Sequence, residues 1–272
     1  MSAGRIDDVL IATRDELLAI NRGRPVVENY LRVHYSRYRY DIREILRLAA
    51  PGARILDLGA APFCTAETLS RLGYDVVGVD VAPDNWGYVD RLSFPVRAAN
   101  CDGEELPFKR NRFDVVVLTE VFEHLHIDLV ATARQIRRVL KSGGSLYLTT
   151  PNGFGLRRLA KVLRTRRFQN VYEEWGSIRT QGFCGHVTEY TPRELEDFFT
   201  KCHFADVRAR TVNIYHKQRL ETRFWHAVTA ALPGMRETIV MTARKPKGEG
   251  GKAAQAMRPP PPPPPLQFQG RD

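Results

Sequence analysis

No stretch of the sequence approaches the roughly 18 consecutive apolar residues of a membrane-spanning helix, so no transmembrane segment is expected. Cysteine is scarce. Cys64, Cys101, Cys184 and Cys202 form neither a CxxC pair nor a disulfide framework, which fits a reducing, cytoplasmic compartment. The first eight residues, Met1 to Asp8, carry acid where a secretory signal carries base, and no apolar segment follows, so export is not expected. There is no GxxxxGK[ST] run, which sets aside a P-loop nucleotidase. Acid is absent between Asn152 and Glu173, where six bases fall. The whole chain of 272 residues has a net charge of +10, so more than half of the excess sits in one short segment. That distribution argues against a broad nucleic-acid footprint and for a local anionic partner.

What is present is an ordinary globular composition, 43% hydrophobic and 26% charged. Residues 27 to 50 place Leu31, Tyr35, Tyr38, Ile42, Ile45 and Ala49 on one helical stripe, which Pro51-Gly52 stops. Short apolar runs then alternate with helical patterns. Strands are expected at 54–58, 75–79, 96–99, 113–118, 145–149, 204–210 and 237–243, with helices at about 126–140 and 192–200. This alternation predicts an α/β fold built on a doubly wound, mostly parallel sheet with helices on both faces. From Pro246 the chain turns polar and ends in seven prolines, Pro259 to Pro265. Such a tail buries too little to offset its chain entropy; it is either a solubilising extension or a docking peptide for a proline-binding module.

In a doubly wound sheet a ligand sits outside the carboxyl ends of the strands, where strand order reverses. The residues just after each strand are therefore the informative ones. Asp57-Leu58-Gly59-Ala60-Ala61-Pro62-Phe63 follows the first, with small residues that admit a ligand to the backbone. A tight strand-to-helix turn asks for the same residues, so this run alone leaves both readings open. After the second strand Asp80 leaves a carboxylate 23 positions past Asp57, the spacing that serves a ribose. After the third, Asn100-Cys101-Asp102-Gly103 offers a carboxylate able to accept from an exocyclic adenine amine. Two carboxylates without a phosphate-binding lysine point to a nucleoside ligand that carries no polyphosphate.

Six blocks in order, Ile55 to Pro62, Val76 to Asp80, Cys101 to Phe108, Phe113 to Leu125, Ile136 to Gly144 and Leu146 to Asn152, resemble the class I S-adenosylmethionine-dependent methyltransferases. The likeness is strongest to the small-molecule group that includes the quinone-biosynthesis methyltransferases, with a weaker echo at Gly185 to Thr191. The resemblance implies a seven-stranded Rossmann-like sheet and S-adenosyl-L-methionine as cofactor, with no metal. It also implies that Asp57, Gly59, Ala60 and Ala61 shape the methionine end of the cofactor site, Asp80 and Val81 meet the ribose, Asp102 and Gly103 meet the adenine, and Thr119 and Glu120 lie under the methionine and sulfonium. The chain departs from the family at Ala61 and Phe63, where glycines are usual, so Phe63 must point away from the cofactor or narrow its site. The implied organisation is N-terminal helices capping the core (1–50), the cofactor-binding core (51–152), a basic helix and lid insertion (153–190), the C-terminal part of the same domain (191–245) and a disordered Pro-rich tail (246–272).

Methyl transfer from a sulfonium is an in-line displacement, so placing the nucleophile does most of the work. A base is needed only where the acceptor must lose a proton. Glu123 and His124 after the fourth strand and His186 on a later loop are the candidates for that role; a helix-start carboxylate and a backbone-bonded histidine are the plain alternatives for the first two. His186 beside Cys184 does not make a zinc site without a second pair. In the basic segment Leu156, Leu159, Ala160 and Leu163 form a stripe opposed by Arg157, Arg158, Lys161 and Arg164. This helix is expected to dock an anionic acceptor, whether phosphorylated, sugar-linked or lipid-linked, or an anionic membrane face; a solvated basic face is the alternative. The leading function is methylation of a small-molecule acceptor. RNA methylation is the second reading, weakened by Thr119-Glu120-Val121-Phe122 where base-amine methylases carry Asn/Asp-Pro-Pro-Tyr. The third, prompted by Ala61 and Phe63, is a non-catalytic protein using the same fold.

Overall fold

The computed structural model describes residues 2–181, 185–186, 188–214 and 220–248, with the backbone alone for 177–181 and 220–223. Cys184 and the proline run lie outside the described residues. Seven strands form one sheet: β1 (Arg54–Leu58), β2 (Asp75–Asp80), β3 (Val96–Ala98), β4 (Phe113–Thr119), β5 (Leu140–Pro151), β6 (Ala205–Val212) and β7 (Thr238–Arg244). Their order is β3-β2-β1-β4-β5-β7-β6. All neighbours run parallel except β7, which is antiparallel to both β5 and β6. From β1 the chain winds outward through β2 to β3, then crosses to the other side of β1 as β4, so the order reverses at the carboxyl ends of β1 and β4.

Both faces of the central strands are apolar, as a sheet covered on both sides requires. The two-residue strand period divides Ile55, Val115, Val117 and Tyr147 into one core and Leu56, Leu58, Val116, Leu118, Leu146 and Leu148 into the other. The first core is closed by α1 (Ala3–Ile20), α2 (Pro25–Val33), α3 (Tyr35–Leu48) and α4 (Cys64–Arg71), through Leu10, Leu31, Ile42, Ile45 and Leu69 among others. The second is closed by α5 (Leu129–Val139) and α8 (Pro192–Lys201) through Ile136, Val139, Leu195 and Phe199. Between α5 and α8 lie α6 (Leu156–Thr165) and α7 (Val171–Gln181), and α9 (Leu220–Ala231) precedes β7. None of the described helices is long and apolar enough to cross a membrane.

Three helical expectations change. The helix expected over 27–50 is two helices, because His34 leaves helical geometry at φ −91°, ψ 8° while its carbonyl still accepts from the N–H groups of Arg37 and Tyr38. The apolar stripe crosses this break intact, which is why spacing does not reveal it. The helix expected from His126 starts at Leu129, capped by the Asp128 carboxylate accepting from Ala131 N–H at 2.9 Å. The apolar stripe of α6 is covered only in part: Leu156, Leu159 and Ala160 are half-buried where the helix packs against α9. No residue of α6 is buried, and Leu163 is exposed.

Candidate active site

The turn after β1 is shaped by one forced glycine. Gly59 has φ +71°, and a Cβ there would stand 2.5 Å from Cγ2 of Val121 on the turn after β4. The two turns at the reversal point therefore touch. Gly59 and Ala60 both donate N–H to the Val79 carbonyl, at 2.8 and 3.0 Å, which brings the end of β2 under the same turn. Asp80, largely buried there, accepts from Ala61 N–H at 3.2 Å, and burial raises its carboxyl above the usual range. Asp57 is fully buried beneath the turn, and its Oδ1 has no hydrogen-bond partner among the described residues. Burial first, then the neighbouring Asp80 and Asp41 charges, push the Asp57 carboxyl up to about 8. An orphaned buried carboxylate oxygen at a strand's end asks for a cationic or donor ligand.

Phe63 does not narrow this site. It sits at φ +68° as the residue before α4, fully buried, with its ring edge-on to Trp86 and Tyr88 at centroid distances of 5.9 and 5.8 Å. The side chain points into the core on the α4 side, so the departure from glycine enlarges the packing and leaves the turn open. Asp102 has acquired partners of its own. Its carboxylate accepts from the N–H groups of His126 and Ile127 at 2.9 Å each and braces the loop after β4 against the loop after β3. Gly103, next to it, donates N–H to Thr132 Oγ1 at 3.1 Å.

Glu120, at the end of β4, takes the left-handed region at φ +56°, unusual for a residue with a Cβ. One of its carboxylate oxygens lies 3.6 Å from Nη1 of Arg37, and the other has no hydrogen-bond partner among the described residues. Thr119 is half-buried beside it. Arg37 reaches the site from α3 and is only 4% exposed. It lies 4.0 Å from Asp41, one turn on, and Asp41 accepts from the Tyr147 hydroxyl at 2.8 Å. Burial raises the Asp41 carboxyl to about 7. Sequence reasoning missed Arg37, Asp41 and Tyr147. The one available signal was an Arg and an Asp four residues apart within the apolar stripe of that helix, where charge is out of place.

Glu123, His124 and His186 are brought together. They present one oxygen or nitrogen each within 4.8 Å of one another. Glu123 is fully buried; Oε2 accepts from the Thr150 hydroxyl at 2.9 Å while Oε1 has no hydrogen-bond partner among the described residues. Burial, and after it the charge of Glu120, raises its carboxyl well above the usual range. The His124 and His186 rings meet edge to face at 4.9 Å. Nδ1 of His186 lies 3.5 Å from Glu189, whose carboxylate favours the protonated ring and raises its pKa. These donor types suit a divalent ion and equally a proton-transfer site.

Of the four bases expected to face an acceptor, two are paired. Arg157 bonds Glu237 at 3.0 Å, and Arg158 bonds Glu189, the same carboxylate that holds His186. Lys161 and Arg164 are exposed. Helix α7 roofs the loop after β4: the Trp175 ring lies 5.8 Å from that of His126, and Glu174 accepts from His186 N–H at 2.8 Å.

Comparison with known proteins gives a consistent picture. The family described as methyltransferase domain matches residues 32–209. The ubiquinone biosynthesis O-methyltransferase of Cereibacter sphaeroides is 36% identical over 166 residues, 57% of this chain and 62% of the relative. The chain thus spans less than two thirds of the length of that curated relative. Among solved structures, a chain from the complex of the Haloferax volcanii Trm112 methyltransferase activator with a methyltransferase aligns at TM-score 0.58 and 18% identity, over 85% of this chain and 98% of its own. A SAM-dependent methyltransferase from Archaeoglobus fulgidus aligns at TM-score 0.54 and 15% identity, over 75% and 91%. At these identities the structural likeness is one of fold.

Proposed function

We propose, for a chain that belongs to the methyltransferase domain family, that it moves a methyl group from S-adenosyl-L-methionine to a small-molecule acceptor by in-line displacement. The observation that carries this is the convergence at the β1/β4 reversal of a glycine-forced turn, the Asp80 carboxylate and two orphaned carboxylate oxygens, on Asp57 and Glu120, with the buried Arg37 between the helical wall and the site. These residues fit the group. A methionine ammonium answers the unpaired Asp57 oxygen, Arg37 answers the methionine carboxylate, and Asp80 accepts from the ribose hydroxyls.

The bound cofactor supplies a methyl carbon on a cationic sulfur. The chain's own contribution is placement. Gly59, Ala60 and Ala61 let the backbone approach, Val81 and the Asp102–Gly103 segment border the nucleoside end, and Thr119 with Glu120 floors the methionine end. Asp102 serves there by fixing the loop wall, since its oxygens are already held by backbone N–H groups. At the acceptor position His124 receives the proton that an acceptor hydroxyl gives up, with Glu123 and His186 grouped beside it to orient the acceptor and share the charge. A hydroxyl oxygen is the preferred nucleophile because the ubiquinone biosynthesis relative is an O-methyltransferase. The exposed Lys161 and Arg164 favour an anionic or lipid-linked acceptor. The same reading includes peripheral membrane contact through the basic helix and docking of Pro259 to Pro265 to a proline-binding module.

Calorimetry with S-adenosylhomocysteine tests the cofactor assignment. Saturable one-to-one binding that Asp80→Ala weakens at least about tenfold is expected. Absence of binding by the folded chain would leave only the scaffold. With binding established, Glu123→Gln and His186→Ala should retain the cofactor and lose methyl transfer.

A further inference from the structure

The surface beyond the site carries an unusual tip. Every residue from Leu163 to Phe168, where α6 gives way to the turn before α7, is exposed. Three of these six residues are arginines, Arg164, Arg166 and Arg167. Leu163 is 79% exposed and Phe168 73%, and Tyr172 at the start of α7 reaches 88%. Large apolar side chains exposed singly are ordinary; several on one projecting segment are not. The acid-free stretch continues to Glu173, so these side chains project from a segment of one sign.

An amphipathic stripe this pronounced normally folds onto a core, yet α6 buries no residue. Leu156, Leu159 and Ala160 are half-buried against the protein, while the outer end of the stripe at Leu163 stays uncovered and is free for another apolar medium. Arginine beside Leu, Phe and Tyr is the composition of a segment that rests at the headgroup boundary, the rings and Leu among the upper chains and the guanidinium groups among the phosphates. A nucleic acid would be met by the same charge, but the exposed Leu163 and Phe168 find no complement on a phosphate backbone.

We propose that the α6–α7 tip docks on an anionic lipid bilayer, inserting Leu163, Phe168 and Tyr172 while Arg166 and Arg167 contact lipid phosphates. This deepens the partner part of the functional reading. The tip is continuous with the roof of the site, because α7 places Trp175 against His126 and Glu174 against His186. Docking therefore sets the roof at the lipid boundary, where an acceptor dissolved in the bilayer has a short path to Glu123 and His124.

The test is co-flotation of the full chain with vesicles of phosphatidylcholine alone or with about one-third phosphatidylglycerol. The wild-type chain should partition at least about tenfold better onto the anionic vesicles, more weakly as salt rises. Arg166→Gln/Arg167→Gln should bring partitioning down to the neutral-vesicle level. Leu163→Ser/Phe168→Ser should remove the part that survives high salt and should abolish quenching of tryptophan fluorescence by brominated lipid. Calorimetry with S-adenosylhomocysteine on the same preparations reports separately on the cofactor site and the fold, so a failure of docking is distinct from a failure of the methyltransferase reading. Equal partitioning onto neutral and anionic vesicles, no partitioning, or variants that bind like the wild type would overturn the proposal. So would retention of bulk RNA through the same arginines in place of vesicles.

Discussion

Arg37 and Glu120 stand 3.6 Å apart, one buried on the third helix and the other largely covered at the end of the fourth strand. Removing one partner of a buried pair leaves the other charge unmatched, at a cost of about 3–5 kcal/mol. Arg37→Leu should therefore lower the thermal midpoint and weaken S-adenosylhomocysteine binding at least about tenfold. Arg37→Lys should restore stability in part and cofactor affinity little, since a point charge cannot reproduce the guanidinium fork. Calorimetry and melting curves on the two variants decide it. Wild-type affinity in Arg37→Leu would remove this residue from the cofactor site.

Stability should fall as pH rises from about 4 to about 8. Unfolded, Asp57 gives up its proton near the ordinary 3.8; folded, it holds the proton to about 8. Between those values the unfolded chain is the more weakly protonated state, so each pH unit favours unfolding by up to about 1.4 kcal/mol. The contribution is whole below the lower value and gone above the upper one. Asp41, raised to about 7, acts in the same direction. Urea midpoints across this range should slope downward, and Asp57→Asn should flatten the slope. An unchanged slope in that variant would show that Asp57 is ionised in the fold. If a methionine ammonium pairs with Asp57, binding of S-adenosylhomocysteine near neutral pH should also release a proton, visible as a dependence of the binding enthalpy on buffer.

Restoring the family's glycine at position 63 should do harm. The Phe63 ring fills the cluster with Trp86, Tyr88 and Phe94, and its removal leaves a cavity worth about 3–5 kcal/mol. Relief of the positive φ returns only about 1 kcal/mol of this. Phe63→Gly should therefore melt earlier while its cofactor affinity, measured on the folded fraction, stays within about twofold of wild type. Tighter binding in the variant would mean that the ring does reach the site.

Gly59 and Val121 should behave as a coupled pair. Gly59→Ala places a methyl group 2.5 Å from Val121 Cγ2 and also strains a backbone at φ +71°. The single variant should lose cofactor binding and stability together. Adding Val121→Ala removes the clash but not the strain, so the double variant should recover part of both. A double-variant cycle read by chemical denaturation gives the coupling, expected at about 1–2 kcal/mol. Additive losses would mean that the two turns do not bear on each other.

The sheet was legible because its strands are short apolar runs separated by helical periods, and both cues are local. Each of the seven expected strands has a counterpart in the sheet, with ends shifted by a few residues: β5 begins at Leu140, five residues before the expected start, where it pairs with Phe113 at the foot of β4. The break at His34 was invisible because the apolar stripe runs through it unchanged. Arg37 and Asp41 became meaningful only through Glu120 and through Tyr147, 106 residues from Asp41. The new partners of Asp102 lie 24 and 25 residues along the chain. Sequence spacing identified the carboxylates and not the backbone groups that had already claimed one of them. The stripe of α6 was visible, whereas its partial cover, with Leu163 left exposed, could be known only from the packing of everything else.

The first three helices share one apolar core with the central strands, and through Arg37 and Asp41 they complete the wall of the site. They are thus no detachable cover. A fragment beginning at residue 51 would expose Ile55, Val115, Val117 and Tyr147 to water and leave Asp57 and Glu120 without the helix that faces them. Such a fragment should aggregate rather than fold. In the intact protein, limited proteolysis should show the amino-terminal helices and the sheet surrendering in a single cooperative step, with bound nucleoside slowing both to the same degree.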